Sequence, residues 1–282
     1  MTIHYEVVDH VAEIAIDGIG EHNLYSPEEV YLPLAETFRT FRDDPEAWCA
    51  LVFAPEEKKA FTYGGHLKAM DKVWNAEDDE GNRGYKLPSG FDRVFRPDAP
   101  SDDVFSWSHL LEIDGSKIYK PMVFAVAGAC YGAGTLIVDA NADYVVAAPD
   151  TRFGLVEMRW GQGSFASGVI RSLPWRIAMD MALRGRIMEA EEALRLGFVN
   201  AVVPRSDVLA EARKVVADYA SMPPLHAQMS KRLAIIGREH PDHLMQAMRD
   251  LYYAARFSDA DAKEGVRAFV EKRKPVYTGK PE

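Results

Sequence analysis

Three short segments of this chain carry residues whose types and spacing suit the handling of negative charge and of protons. Across residues 120–134 an apolar run leads through Gly128 into Gly132, Ala133 and Gly134, the pattern of a buried strand feeding a glycine-rich turn that opens a helix. NH groups at such a turn lack an intrahelical partner, so the turn is either an anion or oxyanion site or simply a tight packing turn. Upstream, Leu51, Val52 and Phe53 lead through Ala60, Phe61, Gly64 and Gly65 into a helical pattern that starts near Leu67. Downstream, Glu157 follows a further turn at Phe153, Gly154 and Leu155. Together the segments supply two NH-rich turns and one carboxylate.

The elements that must position them follow from hydrophobic period. Residues 5–16 alternate as a hairpin with Asp9 and His10 at its turn. Ser26, Pro27 and Glu29 form a capping box with proline at the first helical position, which predicts a helix from 27 to about 42 with Val30, Leu34, Phe38 and Phe41 on its apolar face. Strand and helix patterns then alternate: strands at 50–53, 122–126 and 144–147, helices from 67 and over 133–140. That order predicts an α/β fold with right-handed crossovers and mostly parallel strands. Beyond Gly163 the pattern is almost wholly helical, apart from a short strand at 199–203. Residues 121–138 lack any charge, a length that touches the lower limit for a membrane span, but Gly128, Gly132 and Gly134 divide them into a strand and a helix start.

With 282 residues, 48% hydrophobic and 27% charged, the chain is long enough to bury a sizeable core. Its formal net charge of −10 argues against nonspecific nucleic-acid binding. Cys49 and Cys130 both lie in apolar runs, so they read as small core residues and neither a disulfide framework nor a metal site is expected. The first residues lack the basic start and apolar core of a signal peptide, and a cytoplasmic protein is expected.

At the level of motifs the chain resembles the crotonase family, the enoyl-CoA hydratases and isomerases. The family's first oxyanion motif, Ala-Phe-x-Ala-Gly-x-Asp-Leu-Lys-x-Met, is matched at Ala60, Phe61, Gly64, Leu67, Lys68 and Met70. In its second, Lys-Pro-x-x-Ala-x-Val-x-Gly-x-x-x-Gly-Gly-Gly, the triple glycine is replaced by Gly132, Ala133 and Gly134. The ending from Glu264 to Lys274 is similar to the family's C-terminal helix. The resemblance implies a core of repeated ββα units forming a spiral over residues 1–203 and a C-terminal helical region over 204–282 that mediates a homotrimer or a dimer of trimers. It implies an acyl-CoA substrate, with no cofactor, metal, nucleic acid or membrane.

A thioester makes its α-carbon acidic because the charge left by the departing proton moves onto the carbonyl oxygen, and two backbone NH groups aimed at that oxygen stabilise the enolate. By the motif match those donors are the NH groups of Gly65 and Ala133, and Glu157 is the acid/base. The family's other catalytic glutamate falls on Leu136, or on Ile137 if the helix is shifted by one. A single carboxylate tilts the expected chemistry toward isomerisation, with hydratase-lyase action on aromatic, feruloyl-type CoA esters as runner-up. An idle CoA-ester binder or an RNA-binding relative is the alternative from another class. The resemblance further assigns Asn23, Leu24, Tyr63, Gly64, His66, Lys68 and Gly132 to the substrate channel, and Phe269 and Lys272 to the nucleotide end of CoA. Residues 71–119 depart from the family. Acidic side chains outnumber basic ones there, and Trp74, Tyr85, Phe91, Phe95, Phe105 and Trp107 make the segment either a solvated insertion or a lid.

Overall fold

The computed structural model describes residues 2–68, 118–161, 172–238, 240–256 and 259–280; nearly all of the 71–119 segment lies outside them. Strands β1 (Ile3–Val8) and β2 (Val11–Ile16) form the expected hairpin. Asp9 and His10 both adopt positive φ, the conformation that a two-residue turn needs to match the twist of its strands. β2 then pairs in parallel with β3 (Cys49–Phe53), β3 with β4 (Met122–Val126), β4 with β6 (Tyr144–Ala147) and β6 with β9 (Ala201–Val202). The parallel interior agrees with the strand-helix alternation of the sequence.

Because side chains alternate across a strand, each central strand feeds two cores. Ala50, Val52, Met122, Phe124 and Val126 join one apolar cluster, where α1 (Leu32–Asp43) contributes Leu34, Phe38 and Phe41. Cys49, Leu51, Val123 and Ala125 face the other way and meet Val208, Ala212 and Val216 of α5 (Val208–Ala220). So α5, although inside the expected C-terminal region, packs on the sheet itself. The remaining C-terminal helices are α6 (Pro224–Gly237), α7 (Asp242–Arg256) and α8 (Ala260–Glu271).

Three features depart from the sequence reading. First, the helix expected from residue 27 opens as a wide turn over Pro27–Tyr31, with the NH groups of Val30 and Tyr31 both donating to the Ser26 carbonyl. Pro33, which has no NH to donate, stands at the start of the regular helix and explains the change of winding. Second, β5 (Ala129–Tyr131), β7 (Arg152–Gly154) and β8 (Ile187–Glu189) form a separate three-stranded sheet, so residues read as turn or helix are short strands. Third, in chain order α2 (Ala133–Asn141) comes after β5, α3 (Trp175–Arg184) after β7 and α4 (Ala190–Leu196) after β8. Strands β4 and β6 are thus each followed by a short strand and then by helix.

Among the described residues no helix is long and apolar enough to cross a membrane. Both cysteines are buried and free, and burial pushes the Cys49 thiol up to about 12 and the Cys130 thiol higher still. Thiol titration of the native protein with a chromogenic disulfide should therefore find no fast-reacting sulfhydryl, and both should react once the protein is unfolded in guanidinium.

Candidate active site

The first turn is built by its neighbours before it can do anything. Asn23 is fully buried, with φ near 52°, and its side-chain amide donates to the carbonyls of Ile16 (3.0 Å) and Phe61 (2.6 Å) while its oxygen accepts from Gly18. Thr62, also fully buried, donates to the Asn23 carbonyl (2.6 Å) and accepts from the Gly64 NH (3.0 Å). Tyr25 donates its NH to the Gly64 carbonyl and accepts the His66 NH at 2.8 Å. These bonds fix residues 61–66 and leave the Gly65 NH as the donor without an acceptor among the described residues.

The second turn lies against the first. The Thr62 NH donates to the Ala129 carbonyl, the Tyr131 NH returns to the Thr62 carbonyl, and a Cβ on Gly64 would meet the Tyr131 carbonyl at 3.3 Å. Gly132 caps α2 with φ 57° and ψ −123°, a conformation closed to residues with a side chain. Ala133 is the first residue of that helix, and its NH likewise donates to nothing among the described residues. Gly134 carries a packing constraint, since a Cβ there would lie 2.2 Å from Thr62 Cγ2.

Glu157 begins a short 3-10 turn, Glu157–Trp160, directly after β7 and Leu155-Val156. Its carboxylate stands against Gly132: Oε1 would be 2.8 Å from a Cβ at that position. Thr135 braces the approach by donating to the Cys130 carbonyl and accepting the Gly154 NH at 3.1 Å, while Gly132 NH donates to the Gly154 carbonyl at 2.7 Å. On the far side Tyr31 is buried, and its phenol is held well above the ordinary tyrosine range by burial and by the negative charge of Glu157. Desolvation does the same to Tyr25, with a further push from Cys130.

The structure thus brings Gly64, Gly65, Gly132, Ala133 and Glu157 together. Leu24 is half-buried beside them, His66 is partly exposed and Tyr63 is 45% exposed, its ring packed edge-on to Tyr131 at 5.6 Å and tilted over His22 at 4.6 Å. Asn23 is a correction: its amide is consumed by backbone partners, so it shapes the turn and does not face a ligand. Lys68 is exposed at the helix start, whereas Phe269, 85% exposed, and Lys272 project from the end of α8 into solvent and do not join the cluster. Leu136 and Ile137, where a second carboxylate was sought, are buried aliphatics. Asp139 is partly buried and accepts from Ser172. Thr62 and Thr135 escaped the sequence reading because nothing distinguishes a buried threonine in an apolar run from an ordinary strand residue. Among the described residues no group of three or more His, Cys, Asp or Glu is placed to hold a metal ion.

The chain as a whole is similar to known proteins. A family model described as Enoyl-CoA hydratase/isomerase matches residues 103–280. The carnitinyl-CoA dehydratase of Salmonella enteritidis PT4 is 32% identical over 256 residues, covering 88% of this chain and 87% of that protein. The protein of the same name from Salmonella typhi matches to the same extent. Among solved structures, an enoyl-CoA hydratase/isomerase from Mycobacterium paratuberculosis has a TM-score of 0.78 at 26% identity, covering 99% of both chains. An enoyl-CoA hydratase from Mycobacterium tuberculosis H37Rv gives the same TM-score, identity and coverage.

The clash at Gly134 is a direct check on how the two turns meet. Gly134→Ala should destabilise the protein by about 1–3 kcal/mol through overpacking. Thr62→Ser, which keeps the hydroxyl and removes Cγ2, should recover most of that loss in the double variant. Urea unfolding of the four proteins reads both effects, and additive losses would show that the contact is not as described.

Proposed function

Because the chain belongs to the crotonase family, the enoyl-CoA hydratases and isomerases, we propose that it generates a thioester enolate between the NH groups of Gly65 and Ala133, with Glu157 as the sole acid/base. It has the α/β fold of solved crotonases and is an acyl-CoA enzyme of the hydratase/isomerase type. The observation that carries the finer reading is the carboxylate of Glu157 standing against Gly132, one residue before the NH that opens α2 and has no acceptor among the described residues.

The chemistry follows from that geometry. Removing the α-proton places charge on the thioester oxygen, and the positive end of α2 together with the Gly65 and Ala133 NH groups would receive it without reorganisation. Loss of one such donor typically costs ~10²–10³ in rate. Alanine at 133 serves because the donor is main chain. Glu157 takes the proton and returns it, which suffices for moving a double bond. Adding water is better served by two carboxylates, and by the motif match the position of the second falls on Leu136, or on Ile137 if the helix is shifted by one, both buried aliphatics. Hydratase-lyase action on an aromatic enoyl-CoA would use the same single carboxylate. The relatives named carnitinyl-CoA dehydratase favour a further reading, loss of water from a 3-hydroxyacyl-CoA. In it Glu157 removes the α-proton, the Cβ–O bond of the enolate breaks, and Glu157 returns that proton to the departing hydroxyl so that it leaves as water. Assembly into a homotrimer or a pair of trimers is supported by the apolar residues that α7 and α8 leave exposed, among them Leu251, Val266, Phe269 and Val270. The CoA phosphates would be met by Lys68 and Lys272, and no separate cofactor is required.

A spectrophotometric screen of crotonyl-CoA, 3-hexenoyl-CoA, feruloyl-CoA and carnitinyl-CoA tests the proposal. With whichever ester wild type turns over, Glu157→Gln should lower kcat by roughly 10²–10⁴-fold, while Ala133→Gly should stay within about threefold because it keeps the backbone donor. Wild-type turnover by Glu157→Gln would refute the assignment of the base. Crotonyl-CoA hydration at rates near the diffusional ceiling would refute the single-carboxylate mechanism.

A further inference from the structure

The 3-10 turn that carries Glu157 has no buried residue of its own, so packing alone does not hold it. Upstream it is anchored at Gly154, whose carbonyl accepts from Gly132 and whose NH donates to Thr135. Downstream, Arg159 reaches across and donates from Nη2 to the Gly185 carbonyl at 2.6 Å, just beyond the end of α3. That end is a firm anchor, because Ala178, Met181 and Ala182 bury the helix in the main core and the Gly185 NH closes it on Met181. Gly185 adopts φ 63°, and a Cβ there would lie 3.0 Å from Arg159 Nε and 3.4 Å from the Leu155 carbonyl. The absence of a side chain at 185 is what lets the guanidinium and the backbone before Glu157 lie flat against the helix end. A cation at a helix C-terminus is also favoured by the partial negative charge there.

We infer that Arg159 is the positioning residue for Glu157: by clamping the turn to the end of α3 it sets the distance between the carboxylate and Gly132. This inference rests on the proposed role of Glu157 as the acid/base. Displacing a reacting group by about 1 Å can cost ~10² in rate. Arg159→Met should therefore lower kcat roughly ten- to a hundred-fold and leave KM within about threefold, since the donors at Gly65 and Ala133 are untouched. Gly185→Asn tolerates positive φ but thrusts a Cβ at the guanidinium, and it should produce the same loss. The double variant should be no slower than the worse single one, because both changes break one contact.

Steady-state kinetics of the two single variants and the double, with the best ester of the screen above and Glu157→Gln in parallel, decide the matter. Wild-type kcat in Arg159→Met, or strictly additive losses in the double variant, would overturn the inference. Should Arg159→Met not fold, Gly185→Asn alone carries the test, and an unchanged kcat there overturns it equally. An inactive Glu157→Gln beside a fully active Arg159→Met sinks only the clamp. An active Glu157→Gln sinks the assignment of the base instead.

Discussion

Two backbone turns touch in this molecule at places where a Cβ would be crowded or strained, and the rest of the structure is arranged to permit that contact. Gly132 admits the Glu157 carboxylate, Gly134 admits Thr62 and Gly64 admits the Tyr131 carbonyl. The neighbouring hydrogen bonds run between Thr62 and the β5 backbone, so the first turn in effect pairs with the second sheet. Asn23 fastens the first turn from behind with three backbone bonds. Each of those bonds is worth only about 1 kcal/mol net, but leaving a buried carbonyl unmet costs more, so the set behaves as a unit.

The wide turn before α1 links this contact to the electrostatics of the site. Proline at 33 prevents the regular helix from starting at 27, and the extra residue per turn delivers Tyr31 into the core, edge-on to Tyr25 at 5.7 Å. Burial then raises the phenols of Tyr25 and Tyr31 and the thiol of Cys130 well above their ordinary ranges. All three stay neutral at ordinary pH. The carboxylate of Glu157 stands against Gly132 at the start of α2, and its charge is felt at Tyr31.

Long periodic segments were legible in the sequence and short ones were not. The hairpin at 5–16, the apolar face of Leu34, Phe38 and Phe41 and the buried runs at 50–53 and 122–126 follow from alternation or helical spacing over enough residues to count. β5, β7 and β8 have three residues each, too few for any period, and their identity is set by partners far along the chain, such as Cys130 opposite Phe153. At the site, the glycines announced the turns because positive φ and close approach demand them. Asn23 was assigned to the channel by the family resemblance, and sequence alone does not tell whether a polar side chain beside a turn faces solvent or backbone. Arg159 gave no signal at all, since its partner is a carbonyl 26 residues on.

The departure from three consecutive glycines explains itself once the positions are separated. Position 132 must bear positive φ and must clear a carboxylate, so only glycine serves. Position 134 has ordinary helical geometry, yet Thr62 Cγ2 fills the volume a methyl would need, so glycine is required there for space. Position 133 has neither constraint: it is the first helical residue, 6% exposed, with its side chain in the main core. Alanine there adds apolar contact and lowers the conformational entropy lost on folding by roughly 0.5–1 kcal/mol relative to glycine. The NH that opens α2 is the same in either residue. The turn can therefore gain rigidity at its centre without changing the NH it presents, so a two-glycine version offers the proposed chemistry the same donor as a three-glycine one would.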